Sequence, residues 1–200
     1  MNQRSQPAIT RVALVAATTL GVAASLLTVV SPAAGRVPQP SAQVPADVNK
    51  GRYALGDSVM LGAKSNLRNR GFRVNAAGSR QVSDGIDVLR SQKRRGKLPK
   101  NVVVHLGTNG TFTAGQCGSM HRLVGAKRKL FVVTIKVRRS WSGPNNRVLT
   151  RCARKYGNTH LIDWRKFAVN HGWATYADGY HLTSRGAVAY ANLIDRNVSR

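Results

Sequence analysis

The sequence N-V-V-V-H-L at residues 101–106, followed at once by G-T-N-G at residues 107–110, decides the fold class of this chain. A continuous apolar run of this length is typical of a strand that is buried on both faces, as in parallel sheets. The run L-F-V-V-T-I at residues 130–135 is of the same kind. Because such strands need helices on both faces, the two runs predict an α/β protein with a central parallel sheet.

Shorter apolar runs on either side extend this pattern to five strands. The three further strands are predicted at residues 53–55, 72–75 and 160–162. Helices are predicted at residues 58–70, 82–95, 146–156 and 184–198. The expected architecture is a three-layer α/β/α sandwich, flavodoxin-like, around a mainly five-stranded parallel sheet.

The N-terminus predicts export. Arg4 and Arg11 precede an uncharged, mostly apolar run at residues 12–30, and small residues follow it. This pattern predicts that residues 1–35 are a secretory signal peptide or, since the run approaches the roughly 20 residues that span a bilayer, an uncleaved membrane anchor.

Two further segments follow the N-terminal one. Residues 36–50 hold three prolines and no apolar periodicity, which predicts an extended linker. Residues 51–200 are then the folded domain. We expect it to be secreted or to lie at the cell envelope, outside the cytoplasm, with a tether if the N-terminal segment is retained.

The charge of the chain is strongly positive. There are 32 Lys and Arg residues against 7 acidic residues, a formal net charge of +25. Such a field attracts anionic envelope polymers or a membrane surface, although a merely solvated surface is the alternative interpretation. Nucleic acid is a poor candidate for a binding partner, because aromatic residues make up 6% of the chain and the sequence shows no group of aromatic residues on which bases could stack.

The chain has two cysteines, Cys117 and Cys152. In an exported protein an even pair predicts one disulfide, and two free buried thiols are the alternative. The sequence implies no cofactor and no metal, since neither the cysteines nor the histidines at positions 105, 121, 160 and 171 form a ligand cluster.

Polar residues follow the predicted strands at the edge of the sheet where ligands bind in such folds. Ser58 stands just after the first strand and at the start of a helix. Asn109 follows the third strand, and its amide could point at a developing oxyanion. Asp178 precedes His181 by three residues in a turn, so its carboxylate can reach the imidazole ring. Serine-based acyl transfer needs groups of these kinds.

These residues also resemble a known family in order and spacing. G-D-S-V at 56–59, G-T-N-G at 107–110 and D-x-x-H at 178–181 are similar to blocks I, III and V of the SGNH (GDSL-like) hydrolases. The resemblance extends from about residue 53 to the C-terminus. The longer strings A-L-G-D-S-V-M-L-G-A, S-R-Q, H-L-G-T-N-G and D-G-Y-H-L-T resemble the extracytoplasmic SGNH domain of membrane O-acyltransferases that modify peptidoglycan and other surface glycans.

The resemblance implies a role for each matching residue. Ser58 would be the nucleophile, His181 the general base and then acid, and Asp178 the group that orients His181. The oxyanion hole would consist of the Ser58 and Gly78 backbone N–H groups and the Asn109 side chain. Block II is the weakest match, and Ser79 is an alternative to Gly78.

Asp57 belongs to the motif but not to the triad, and a structural hydrogen-bonding role is expected for it.

Three functions remain open on the sequence alone. The first is a hydrolase of an extracytoplasmic, short-chain acyl ester. The second is an O-acyltransferase of a cell-wall glycan, for which a separate membrane protein would donate the acyl group. The third belongs to another class, a non-catalytic basic module that binds anionic envelope polymer or nucleic acid.

Overall fold

The computed structural model describes residues 51–199, and its centre is a parallel sheet of five strands in the order β2-β1-β3-β4-β5. The strands are β1 (Arg52–Gly56), β2 (Arg73–Ala76), β3 (Asn101–His105), β4 (Lys129–Val133) and β5 (Thr159–Ile162). All four neighbouring pairs are parallel. The predicted sheet is therefore confirmed, with strand bounds that differ from the predicted ones by one or two residues.

Seven α-helices lie between and after the strands in the described residues. They are α1 (Ser58–Gly62), α2 (Lys64–Arg68), α3 (Val82–Arg94), α4 (Ala114–Val124), α5 (Ser142–Lys155), α6 (Trp164–Asn170) and α7 (Ser184–Val198). A short 3₁₀ turn at Gly172–Ala174 precedes the loop that leads into α7.

The side chains of the central strands alternate between two hydrophobic layers. Val102 and Val104 of β3 pack in the layer that also holds the buried residues of α3, α4 and α5. Val103 points the other way, into the layer that holds the buried residues of α1, α2, α6 and α7. Two cores on opposite faces of one sheet make the three-layer sandwich that the sequence predicts.

The helices differ from the sequence predictions in three places. The single helix predicted at 58–70 is two short helices, because Ala63 adopts non-helical angles (φ −105°, ψ 12°) directly after Gly62. Helix α5 begins at Ser142 rather than at 146, since Pro144 is tolerated in a first turn. Helices α4 and α6 have no counterpart among the predicted elements.

Helix α4 was not predicted from the sequence, because glycines at positions 115 and 118 lower the helical propensity of this segment. A capping box stabilises its first turn, in which Thr113 accepts from the Gln116 N–H and the Gln116 side chain accepts from the Thr113 N–H. Its apolar face is buried against the sheet, with Met120 and Val124 fully inaccessible. Packing therefore overrides propensity in this segment.

In residues 51–199 no helix combines the length and the apolar character that crossing a bilayer requires. The signal or anchor predicted at residues 1–35 and the linker predicted at residues 36–50 lie outside the described residues.

Cys117 and Cys152 form the predicted disulfide, which joins α4 to α5 with a Cα–Cα distance of 6.3 Å. Both cysteines are buried in the hydrophobic layer that those helices share. The bond closes a loop with a sequence separation of 35 residues, so it ties together two helices that cover the same face of the sheet.

We expect removal of this disulfide to lower the free energy of unfolding by about 3–4 kcal/mol, because the cross-link restricts the unfolded chain. Denaturant unfolding of the oxidised protein, the reduced protein and the Cys117→Ala/Cys152→Ala variant measures the loss. The intact mass of the non-reduced protein should be lower than that of the reduced protein by two hydrogen atoms. Two alkylatable thiols in the oxidised, exported protein would contradict the pairing.

Candidate active site

Ser58 lies at the point where β1 passes into α1, at the carboxyl edge of the sheet. The preceding Asp57 is fully buried. One of its carboxylate oxygens accepts from the Val59 N–H (3.1 Å), and the other accepts from the Thr108 N–H (3.4 Å). Asp57 therefore caps α1 and ties the turn at Ser58 to the loop after β3, which is the structural role expected for it.

Gly56 is required for the tightness of this turn. A Cβ atom at this position would lie 2.4 Å from the Cβ of Met60, a distance that real side chains do not reach. The motif glycine thus lets the first turn of α1 fold back onto the end of β1.

His181 lies within hydrogen-bonding distance of Ser58. The His181 Nε2 atom is 3.2 Å from the Ser58 Oγ atom, across 123 positions of sequence. On the other side of the ring, Nδ1 is 2.8 Å from an Asp178 carboxylate oxygen. The structure therefore brings the three residues predicted as a triad into one chain of contacts.

Asp178 is held in its charged form. Desolvation alone would raise the pKa of this carboxyl. Hydrogen bonds from the Tyr180 N–H (2.9 Å), the His181 ring and the His181 N–H (3.0 Å) outweigh that effect, so the pKa of Asp178 lies below its ordinary value. An ionised Asp178 at neutral pH favours the tautomer of His181 that carries its proton on Nδ1 and leaves Nε2 free to accept.

Lys136 braces the loop that carries Asp178 and His181. Its ammonium group donates to the Thr175 hydroxyl (3.0 Å) and to the Gly179 carbonyl (2.6 Å). Gly179 has a φ of +84°, a conformation that favours glycine, so the turn between Asp178 and His181 depends on this residue type. Desolvation, with a smaller effect from Arg138, lowers the pKa of Lys136, and Asp178 opposes the shift.

Asn109 lies half-buried beside the turn that follows β2. Its side-chain nitrogen donates to the Arg80 carbonyl (3.3 Å). Because a primary amide carries two hydrogens, this contact orients the group and leaves the second N–H for another acceptor.

Arg80 is a residue of the site for which the sequence suggested no role. Its guanidinium donates to the Gly56 carbonyl (2.8 Å) and to the Asn75 carbonyl and side-chain oxygen (both 2.7 Å). It thereby joins the ends of β1 and β2 immediately before Ser58. The string S-R-Q at 79–81 marks this position, but only the fold shows where the guanidinium points.

Gly78 and Ser79 form the turn after β2, and both are exposed. Ser79 has a φ of +53°, the left-handed conformation that is uncommon for a residue with a side chain. Among the described residues no protein acceptor pairs with the Gly78 N–H. The turn is joined to Asn109 through Arg80, but the choice between Gly78 and Ser79 as an oxyanion donor stays a prediction.

A small hollow of about 190 Å³ adjoins Asn109. The indole N–H of Trp141 donates to the Thr108 carbonyl (3.3 Å) and so fixes one wall of the hollow. The lining residues are Thr108, Asn109, Val137, Arg139, Trp141 and Tyr180.

Each of the remaining histidines contacts an aromatic ring. His105 is buried with its Nδ1 atom 2.6 Å from the Tyr190 hydroxyl. His121 and His171 stack on Tyr156 and Phe167. In residues 51–199 no three His, Cys, Asp or Glu side chains converge as metal ligands would.

Curated relatives match the chain over most of its folded part. YrhL of Bacillus subtilis (strain 168) is 35% identical over 152 residues, which are 75% of this chain and 24% of that protein. The O-acetyltransferase OatA of Staphylococcus aureus (strain NCTC 8325 / PS 47) is 34% identical over 143 residues, which are 70% of this chain and 24% of OatA. The chain thus spans about a quarter of the length of these relatives. No protein-family model matches it.

Solved structures share the fold at lower sequence identity. The C-terminal catalytic domain of peptidoglycan O-acetyltransferase A (OatA) from Streptococcus pneumoniae superposes with a TM-score of 0.68 and 22% identity, covering 75% of this chain and 93% of that one. A GDSL-like lipase from Bacteroides thetaiotaomicron gives a TM-score of 0.61 and 18% identity, covering 78% and 90%. With the sequence similarity to O-acetyltransferases and the grouping of Ser58, Asp178 and His181, these likenesses show that the chain belongs to the SGNH (GDSL-like) hydrolase family of enzymes.

Proposed function

We propose that residues 51–199 catalyse acyl transfer from an ester through a covalent acyl-Ser58 intermediate. The observation that carries this proposal is the continuous contact from Ser58 Oγ through the His181 ring (3.2 Å) to the Asp178 carboxylate (2.8 Å). A serine hydroxyl is a weak nucleophile unless a base takes its proton, and this arrangement supplies the base and the group that orients it.

In the first half-reaction the Ser58 oxygen attacks the ester carbonyl carbon while its proton passes to His181 Nε2. The carbonyl oxygen becomes negatively charged, and we assign its stabilisation to the free amide N–H of Asn109 and the backbone N–H groups of Ser58 and Gly78. As the first residue of α1, Ser58 has no helical acceptor for its N–H. The tetrahedral intermediate then expels the alcohol, which takes the proton from His181.

In the second half-reaction a hydroxyl group attacks the acyl-Ser58 carbonyl and gives its proton to His181. The intermediate collapses, the acyl group leaves on the incoming oxygen, and Ser58 Oγ recovers its proton. The ionised Asp178 stabilises the imidazolium that forms in both halves. We propose that the hollow of about 190 Å³ beside Asn109 accommodates a short acyl chain such as acetyl.

The incoming hydroxyl defines which of two reactions the domain performs. With water the reaction is ester hydrolysis, the function we place first. With a glycan hydroxyl it is O-acyl transfer, which the similarity to O-acetyltransferases favours. In that case we propose that a separate membrane protein donates the acyl group.

We also propose that the enzyme works at the cell envelope or is secreted. The apolar run at residues 12–30 supports this location as an export signal or anchor. A purely non-catalytic basic module is no longer a sufficient description, because the geometry at Ser58 supplies the groups that acyl transfer needs.

A partition experiment tests the proposed function. The purified chain is incubated with an activated acetyl ester, with and without peptidoglycan oligosaccharides, and free acetate and acetylated sugar are both quantified. A hydrolase releases acetate at a rate that the sugar does not change, whereas a transferase forms acetylated sugar at the expense of acetate. If neither product forms and Ser58 is not labelled by a sulfonyl fluoride, the proposed acyl-Ser58 chemistry is wrong.

A further inference from the structure

Two adjoining hollows lie along the outer edge of β5, away from the Ser58 site. Their volumes are about 630 Å³ and 590 Å³, and Thr150 and Arg154 line both of them, so they form one continuous groove. One hollow reaches Asn197 near the end of α7, and the other reaches Asp163 at the carboxyl end of β5. We define this edge groove by Lys129, Arg147, Thr150, Arg151, Arg154 and Arg165.

The groove carries a row of arginines along one helix. Arg147, Arg151 and Arg154 are spaced by four and three residues on α5, so they share one face at steps of roughly 6 and 4.5 Å along the axis. All three side chains are exposed, as is Arg165 at the start of α6. Within residues 51–199 none of these four guanidinium groups forms an ion pair with a carboxylate.

The charge of the groove is not neutralised by its own acidic residue. Asp163 is the single carboxylate in its lining. That carboxylate accepts from the Thr134 hydroxyl (2.8 Å) and from the Lys166 N–H (3.0 Å), so it caps α6 and does not pair with an arginine. The field along the groove is therefore that of several cations close to one another.

We propose that the edge groove binds a linear phosphodiester polymer of the cell envelope. Guanidinium groups bind phosphate oxygens through paired, charge-assisted hydrogen bonds, and a row of them suits a chain whose charge recurs at short intervals. Apart from the buried Phe131, the groove has only the ring of His160 as an aromatic surface. Because single-stranded nucleic acids bind largely by stacking bases on aromatic rings, a phosphodiester chain without bases fits better.

The groove lies near the edge of the sheet at which Ser58 is located. β5 lies three strands from β1, a separation of roughly 14 Å at the usual strand spacing. A wall polymer bound in the groove would therefore hold the enzyme at the cell wall and keep Ser58 close to that wall. The choice of an envelope polymer rests on the proposed location of the enzyme, whereas binding in the groove is independent of acyl transfer at Ser58.

The test compares two variants that lose the same charge. One carries Arg147→Gln, Arg151→Gln and Arg154→Gln in the groove, and its matched control carries Arg94→Gln, Arg95→Gln and Lys97→Gln, three exposed cations at the end of α3 and just beyond it. Binding of purified poly(glycerol phosphate) to the full chain is measured from about 50 to 500 mM salt. We expect the groove variant to bind about 10-fold more weakly or worse with a salt slope lower by roughly 2, and the control to stay within about 2-fold.

Equal losses in both variants would show that the surface attracts anions diffusely, and the proposal would be wrong. It would also be wrong if oligo-dT or polyglutamate of matched charge bound the groove more tightly than poly(glycerol phosphate). Turnover of a small neutral ester should be unchanged in both variants, which confirms that they fold. If the triple variant is unstable, Arg151→Gln and Arg154→Gln singly give the same comparison on a smaller scale.

The Ser58→Ala variant separates this proposal from the proposed function. It should bind poly(glycerol phosphate) like the parent chain although it turns over no ester. If the parent chain turns over ester but does not bind poly(glycerol phosphate), the groove proposal alone is wrong. If the parent chain binds poly(glycerol phosphate) but turns over no ester, only the proposed acyl-transfer function is wrong.

Discussion

Ser58→Ala and His181→Ala are each expected to lower kcat by roughly 10⁵- to 10⁶-fold, down to the catalysis that substrate binding and the oxyanion donors provide by themselves. The two losses should not add, since the hydroxyl and its base act as one unit and removing either leaves the other without a function. Turnover of an activated acetyl ester by both single variants and by the double variant measures this. Ser65→Ala is the matched control, because Ser65 is an exposed serine on α2 close in sequence to Ser58.

A double variant that is much slower than either single variant would contradict a shared role for Ser58 and His181. Labelling by a sulfonyl fluoride gives an independent measurement. It should disappear in Ser58→Ala, become slow in His181→Ala, and remain complete in Ser65→Ala.

Asn109→Ala is expected to lower kcat by roughly 100- to 1000-fold, the usual effect of removing one oxyanion donor. KM should change little, because the amide contacts the charge that develops in the transition state more strongly than it contacts the ground-state carbonyl. The same ester assay measures both constants. Asn170→Ala is the control, an exposed asparagine at the end of α6.

The Asn109 side chain also donates to the Arg80 carbonyl, so a loss of activity could come from a shifted turn. Thermal unfolding of Asn109→Ala should show a melting temperature close to that of the parent chain. Turnover within a fewfold of the parent would mean that Asn109 does not contact the oxyanion.

The amino-acid sequence was sufficient to predict the layer architecture and to place candidate site residues at one edge of the sheet. Continuous apolar strands cannot be covered by one layer, so the runs at 101–106 and 130–135 required helices on both faces. Parallel strands place their carboxyl ends on one edge, so Ser58 and Asn109 were expected at the same edge of the sheet. That they are neighbours there follows from the pairing of β1 with β3. With two cysteines in the chain, a disulfide within it could join only Cys117 and Cys152, and the structure decides for the disulfide over two free thiols.

Other features depended on contacts between segments that are far apart in the chain. Helix α4 contains glycines that argue against a helix, and it forms because its apolar face is buried against the sheet. The guanidinium of Arg80 could point in many directions, and only the ends of β1 and β2 give it three acceptors. Lys136 likewise reaches Gly179 across 43 positions of sequence.

The edge groove also combines a feature that the sequence indicates with one that depends on tertiary packing. The spacing of Arg147, Arg151 and Arg154 places them on one face of a helix, which the sequence already indicates. That this face borders the open edge of β5, next to Arg165, follows from the strand order and from how α5 packs. A local sequence pattern determines whether a segment is a helix or a strand and which of its faces is apolar, because the interactions involved lie within a few residues of each other. Which segments pack against each face depends on contacts between distant parts of the chain, so it follows only from the packing of the whole domain.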